Sequence, residues 1–351
     1  MLTSILFYNA VIFSSLLMLY LSLNFTRAAY FQYIAFSILF FISAVRYGIG
    51  TDYVNYQKIF ELLSINELNI SIEPLFYLIN IFAIKLGFHF EFVVAVSSFL
   101  FIYPLVKCSD KNVSIWIVFY LLLYFYIASF NAVRQGIAIS ISCYALYNLF
   151  YSNDKKRYVI FILLASLFHY SALLGFIVIY IRKRALPIWL NIAVIVLLYY
   201  SILMMVPIIL NSGLISNSKY AAYTNSQYIE SVKLGSGVGF IINILPYFVM
   251  IALGKFLFND VKKINLAINA SLLMIVIKLL TLQFGILARL EYTFYFIFAV
   301  IFGELAYRYK KSHLNYTLFI YMVLWAVLQF ELQLLNGAHE VLPYQSIFGT
   351  F

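Results

Sequence analysis

The sequence predicts an all-α, polytopic transmembrane helical bundle of about 10–12 spans around an outward-facing cavity, each span taking about 20 apolar residues. Three observations predict it. The 351-residue chain is 65% hydrophobic and only 10% charged, and its mean hydropathy of +0.96 is beyond what a soluble domain carries. Its apolar runs recur from one end to the other instead of forming a single anchor. The runs are also continuous rather than alternating, which excludes a membrane β-barrel and leaves helices to satisfy the backbone in lipid. Residues 1–351 therefore read as one polytopic membrane domain, with external loops at about 46–72 and 211–236.

In chain order, the run 3–23 has neither a basic leader nor a small-residue cleavage site, so it reads as a retained helix. The run 29–45 follows Arg27. Residues 56–72 mix apolar and charged side chains in a way that suits a helix lying on the membrane surface. Glu73-Pro74 opens the short run 74–87: proline fits a first helical turn and a carboxylate is favoured there. The next run, 90–106, is also short; 113–130, 135–151, 158–181, 187–210, 237–258, 264–284, 291–307 and 314–335 complete the set.

Lysines and arginines orient these runs, because cytoplasmic loops carry the excess of both. Arg27, Lys107/Lys111, Lys155-Lys156-Arg157, Lys262/Lys263 and Arg308/Lys310/Lys311 read as cytoplasmic. Residues 46–72, 131–135, 211–236, 285–291 and the tail after 336 then face outside. Two places break the alternation. Two apolar runs separate external Arg46 from internal Lys107, where an odd number is needed. One run separates Lys156 from Arg182-Lys183-Arg184, where an even number is needed. A re-entrant or broken segment at each place restores parity, and such segments are tolerated where they line a cavity.

The net charge of +10 does not point to nucleic acid, because the basic residues sit in short clusters beside apolar runs. Cys108 and Cys143 have no metal or redox spacing, and four scattered histidines offer no metal-ligand pattern. No P-loop, dinucleotide fingerprint or nucleophile elbow is present, so neither a resident metal nor a cofactor is expected. The 31 tyrosines and 35 phenylalanines fit an aromatic-lined cavity and interfacial belts.

Four stretches carry chemistry. Phe130-Asn131-Ala132-Val133-Arg134-Gln135-Gly136-Ile137-Ala138 joins two long apolar runs. An arginine at bilayer depth costs about 2.5–3.5 kcal/mol on insertion scales and defaults to a functional reading. On a continuous helix Asn131, Arg134 and Gln135 share a face suited to a phosphate or a sugar hydroxyl; the plainer reading is an arginine snorkelling to headgroups. Arg46-Tyr47-Gly48-Ile49-Gly50-Thr51-Asp52-Tyr53 turns on two glycines and, with Tyr56, offers polar and aromatic groups suited to sugars, or serves as an ordinary interfacial loop. His169 stands inside a long apolar run as a general base or charge partner, or as a packing histidine. Arg289 and Tyr292, with Glu291 between them, open a later run on the external side, and Lys278 is a further intramembrane charge.

In their order these pieces resemble the EpsG family, a branch of the Wzy-type polysaccharide polymerases. The resemblance rests on Arg46 to Tyr53 with Tyr56, on Glu73-Pro74-Leu75-Phe76, on Asn131 to Ala138, and on Phe168-His169-Tyr170-Ser171-Ala172-Leu173. It is strong over about residues 40–180, and later rests only on Arg289, Tyr292 and Pro343-Tyr344. It implies polymerisation of oligosaccharide repeat units carried on a polyprenyl pyrophosphate, at the outer face of the bacterial cytoplasmic membrane, for O-antigen, capsule or exopolysaccharide. The implied partners are that lipid-linked oligosaccharide, membrane lipid, a flippase and a chain-length regulator. The implied catalytic residues are His169, Arg134 and Asp52, with His169 the first choice of base. Arg46, Tyr53, Tyr56, Glu73, Asn131, Gln135, Arg289 and Tyr292 are the implied substrate contacts. The competing readings are a flippase or transporter of lipid-linked sugars, a membrane acyltransferase, and a non-catalytic subunit of an export system.

Overall fold

A computed structural model describes residues 1–24, 29–67, 72–108, 112–211, 237–282, 287–308 and 311–350. Arg27, Lys111, Lys310 and nearly all of the expected external loop 211–236 lie outside the described residues. The chain is an all-α polytopic membrane protein. Among the described residues six helices are long and apolar enough to cross a bilayer, and several shorter apolar helices accompany them. The chain divides into two compact units: Met1–Gly175 with Tyr295–Phe351, and Phe176–Phe294.

The first unit begins with α1 (Leu2–Asn24) and α2 (Ala29–Ala44), followed by α3 (Tyr53–Ser64), α4 (Pro74–Lys85) and α5 (Phe90–Cys108). Helices α2 and α5 run antiparallel: Ser43 Oγ donates to Ser98 Oγ at 2.8 Å, and Gln32 donates to the Val106 carbonyl at 3.5 Å. The start of α5 therefore lies at the end of the bundle where α2 delivers Arg46. Next come α6 (Asn112–Phe125), α7 (Ala128–Asn131), α8 (Val133–Tyr151) and α9 (Lys155–Ser166). Helix α8 runs parallel to α5, with Ser140 donating to the Phe101 carbonyl at 2.5 Å.

Both runs at which the charges fail to alternate are irregular. The run 74–87, expected as a short span, is α4: twelve residues, about 18 Å long, well short of a hydrocarbon core of about 30 Å. It lies across one end of the bundle. Its first turn is held by Leu75 N–H donating to the Leu167 carbonyl at 3.1 Å. Its last turns meet the start of α5, with Phe82 and Phe92 ring centroids 6.3 Å apart. Helices α3 and α4 bury Tyr53, Tyr56, Phe76 and Ala83 against Phe90, Val93 and Val94, so both sit on the start of α5. Removing α4 from the crossings leaves the odd number that the charges require.

The run 158–181 is broken rather than one helix. Helix α9 stops at Ser166, the chain turns over Leu167-Phe168-His169, and a 3-10 segment, Tyr170–Phe176, follows. By Gly175 the chain has doubled back along α9: the Tyr158 hydroxyl donates to the Gly175 carbonyl. A Cβ at Gly175 would stand 2.9 Å from Ile162 Cδ1, so the hairpin needs the missing side chain. His169 is at its apex.

The first unit is completed by α14 (Ala288–Arg308) from Tyr295 onward and by α15 (His313–Leu335). These pack aromatics on α6: Trp116 and Phe319 centroids are 4.9 Å apart, edge on, and Phe302 stacks on Phe319 at 5.8 Å. The tail then returns to the start of the fold. Tyr344 donates to the Ile42 carbonyl at 2.8 Å and Tyr8 to the Val341 carbonyl at 3.1 Å. The strands β1 (Gln345–Ser346) and β2 (Gly349–Thr350) form a small hairpin that also bridges Arg46 through Ser346.

In the second unit, α10 (Ile177–Ile181), α11 (Ile188–Asn211), α12 (Gly237–Leu257) and α13 (Val261–Thr281) precede the first turns of α14. Asn269 of α13 donates to the carbonyls of Ile181 and Arg184 at 2.6 and 2.7 Å, fixing the basic turn after α10.

Candidate functional site

The site is built where the two irregular segments meet. Glu73 precedes Pro74, and the residue before a proline is pushed to extended backbone; its φ of −62° and ψ of 141° follow. That geometry makes Glu73 the cap residue of α4, with its carboxylate buried at 7% exposure. Arg134, in the first turn of α8, donates from Nη1 to Glu73 Oε2. His169, at the hairpin apex, places Nδ1 2.9 Å from Glu73 Oε1. One carboxylate thus holds a guanidinium and an imidazole, which stay 25% and 31% exposed above it. The Arg134 guanidinium also stands over the rings of Tyr56 and Phe76, at 5.4 and 5.8 Å.

Burial opposes ionisation of Glu73, but the hydrogen bond from His169 and the charge of Arg134 outweigh it and hold the carboxyl below its ordinary range. An ionised carboxylate only accepts hydrogen bonds. His169 Nδ1 must then carry a proton, and in the neutral ring the lone pair is on Nε2. The arrangement is an oriented imidazole beside a guanidinium.

The remaining residues singled out by the sequence have different surroundings. Asn131 is not on the face of Arg134: α7 ends at Asn131, and Ala132, at φ −88° and ψ 59°, breaks the expected continuous helix. Asn131 Oδ1 instead accepts from Thr51 Oγ1 at 2.6 Å and from the Asp52 N–H at 2.9 Å. Close approach of that loop requires Gly50, whose φ is +100° and whose Cβ would meet the Phe130 carbonyl oxygen at 2.8 Å. Asp52 precedes α3 without a side-chain capping bond and is half-buried, whereas Gln135 is buried in α8. Arg46 is 2% exposed. It donates to the Ser43 carbonyl, to Ser43 Oγ and to Ser98 Oγ, and its guanidinium lies 4.8 Å from the Phe130 centroid. Burial pulls the Arg46 pKa down to about 10. Tyr53 and Tyr56 are buried in the α3–α5 cluster.

Arg289 is exposed, and with Tyr292 it belongs to the second unit. There Glu291 pairs with Lys278 at 2.7 Å, and Lys278 stands 5.9 Å from the Tyr247 ring.

Two apolar depressions, of about 570 and 420 Å3, are lined in part by Leu75 and Phe168. They share Leu75, Leu100 and Phe168, of which Leu75 follows Pro74 and Phe168 precedes His169. Among the described residues no three His, Cys, Asp or Glu side chains gather as a metal-ligand set.

Glu73 as the common partner of Arg134 and His169 was not apparent from the sequence, where it reads as a helix starter or a substrate contact. The available signal was its rarity: with 13 acidic residues in 351, a carboxylate at the head of an apolar run has a short choice of partners.

A family model described as the EpsG family matches residues 29–346. No curated protein and no solved structure matches the chain.

Proposed function

The chain belongs to the EpsG family, and on that premise we propose that it is a membrane glycosyltransferase that polymerises oligosaccharide repeat units carried on a polyprenyl pyrophosphate. The observation that carries this reading is the Arg134–Glu73–His169 trio, set beside an apolar groove at one end of the bundle. By the positive-inside pattern that end is the outer one, which puts the reaction at the outer face of the bacterial cytoplasmic membrane.

The acceptor unit presents a hydroxyl to His169 Nε2. The hydroxyl oxygen bonds to the anomeric carbon of the donor, and the bond from that carbon to the pyrophosphate oxygen breaks. The electron pair leaves on the lipid pyrophosphate, and the hydroxyl proton passes to Nε2. Glu73 fixes the ring and stabilises the imidazolium that forms, the same logic by which a buried carboxylate orients a histidine base elsewhere. The remaining donors of Arg134 face the developing phosphate charge; a guanidinium fork suits phosphate oxygens. The ionised Glu73 balances the charge of Arg134 within the trio.

The lipid tail fits the groove through Leu75, Leu100 and Phe168, which extends along α5 to Tyr103 and Lys107. Arg46 and Asn131 act indirectly, by holding the loop that carries Asp52, the second candidate base. Arg289 and Tyr292 take no step in this scheme. The direct test is glycosyl transfer by purified protein from a lipid-pyrophosphate oligosaccharide. Wild type should yield longer glycans, and Glu73→Gln and His169→Gln only single units. Transfer of normal rate by either variant contradicts the scheme.

A further inference from the structure

Behind the charged trio is a second, smaller feature. Arg46, Tyr53, Val94, Ser97 and Phe130 are among the walls of a small cavity of about 10 Å3, room for one small occupant. Two of its polar groups, Arg46 Nε and Ser97 Oγ, are buried and have no hydrogen-bond partner among the described residues. Both residues are only 2% exposed.

The charge balance selects the occupant. Arg46 makes no ion pair among the described residues. The carbonyl of Ser43 and two serine hydroxyls take Nη1, and the negative end of α2 helps, but none of these supplies a countercharge to Nε. Water would satisfy the hydrogen bonds and leave the charge. A halide accepts from both groups, brings the missing charge and is compact enough for the space.

We infer that the cavity between the Arg46 loop and α5 is a binding site for a single chloride ion, held by Arg46 Nε and Ser97 Oγ. The ion ties the loop after α2 to α5. Tyr56 and Phe76 belong both to the cavity wall and to the platform beneath Arg134. Occupancy therefore stabilises the floor on which the trio stands. The inference does not depend on the proposed chemistry.

The test is thermal unfolding of the full chain in detergent, in sodium chloride against sodium gluconate at constant ionic strength. Ser97→Ala serves as the variant, because it removes one donor and leaves the arginine in place. Wild type should show a saturable, chloride-specific rise in Tm. Ser97→Ala should need about tenfold or more chloride for half the effect, the cost of a hydrogen bond to a charged partner. A bromide-soaked crystal should give an anomalous peak in the cavity. Equal Tm in the two salts, an unchanged chloride response in Ser97→Ala, or a cavity holding only water would each overturn the inference.

Discussion

Glu73 joins two residues that lie 61 and 96 positions away from it, and it sets most of what can be tested at the level of single side chains. Removing the base should be felt in rate: His169→Gln is expected to lower transfer about 10²–10⁴-fold, the usual contribution of a positioned base, with protein level unchanged. Removing the cation should be felt in stability as well. A buried carboxylate left without its partner is costly, and Arg134 is 25% exposed, so solvent screens part of the loss; Arg134→Ala should destabilise by about 1–3 kcal/mol. Adding Glu73→Gln to that variant should recover part of the loss, which a double-mutant cycle on Tm measures. The sign of the pH effect follows from the depressed carboxyl of Glu73, whose ordinary value is 4.5. A depressed folded pKa means stability that is present above the ordinary value and disappears as pH falls through the folded one. Tm should therefore drop on acidification below about 4.5, and Glu73→Gln should flatten that part of the curve. No local pattern could reveal this trio, because its members meet only through tertiary folding. Arg46 shows the converse: the family resemblance implies a substrate contact, and its surroundings are serines, a carbonyl and a phenyl ring.

Among the elements, the short and broken ones carry the site. The lengths of the long helices were legible because a bilayer imposes them, whereas the lie of α4 across the bundle was not, because hydropathy cannot distinguish a buried helix from a spanning one. The charges nevertheless marked both irregular places by failing to alternate. The break at Ala132 left no signal at all. Alanine is the best helix former, and the break accompanies the approach of Gly50 to Phe130 and the bonds of Thr51 and Asp52 to Asn131. Labelling tests the arrangement. Single cysteines at Lys85 and Tyr170, both exposed, should react with an impermeant maleimide from outside the cell. Cysteines at Lys107 and Lys156 should react only after permeabilisation. A Lys85 cysteine reached only from inside would mean that α4 crosses. The hairpin has its own test at Gly175: Gly175→Val should destabilise by about 1–3 kcal/mol through overpacking, and Ile162→Ala in the same chain should relieve part of it.

On the scale of the whole molecule, the fold is an all-α membrane bundle in which one end of the first unit gathers an imidazole, a carboxylate and a guanidinium. That combination suits a substrate with a sugar, a pyrophosphate and a lipid tail, and it separates this reading from its rivals by product. A flippase of lipid-linked sugars needs the cation and the groove but no oriented base. The most direct measurement is the surface-glycan profile of cells lacking the protein, complemented with wild type, His169→Gln or Glu73→Gln at equal expression, together with the sidedness of the lipid-linked units that accumulate. The account predicts a ladder of polymer with wild type alone, and single units exposed on the outer face in the other strains. A normal ladder in the His169→Gln strain, or lipid-linked units trapped on the cytoplasmic face of the deletion strain, would contradict it.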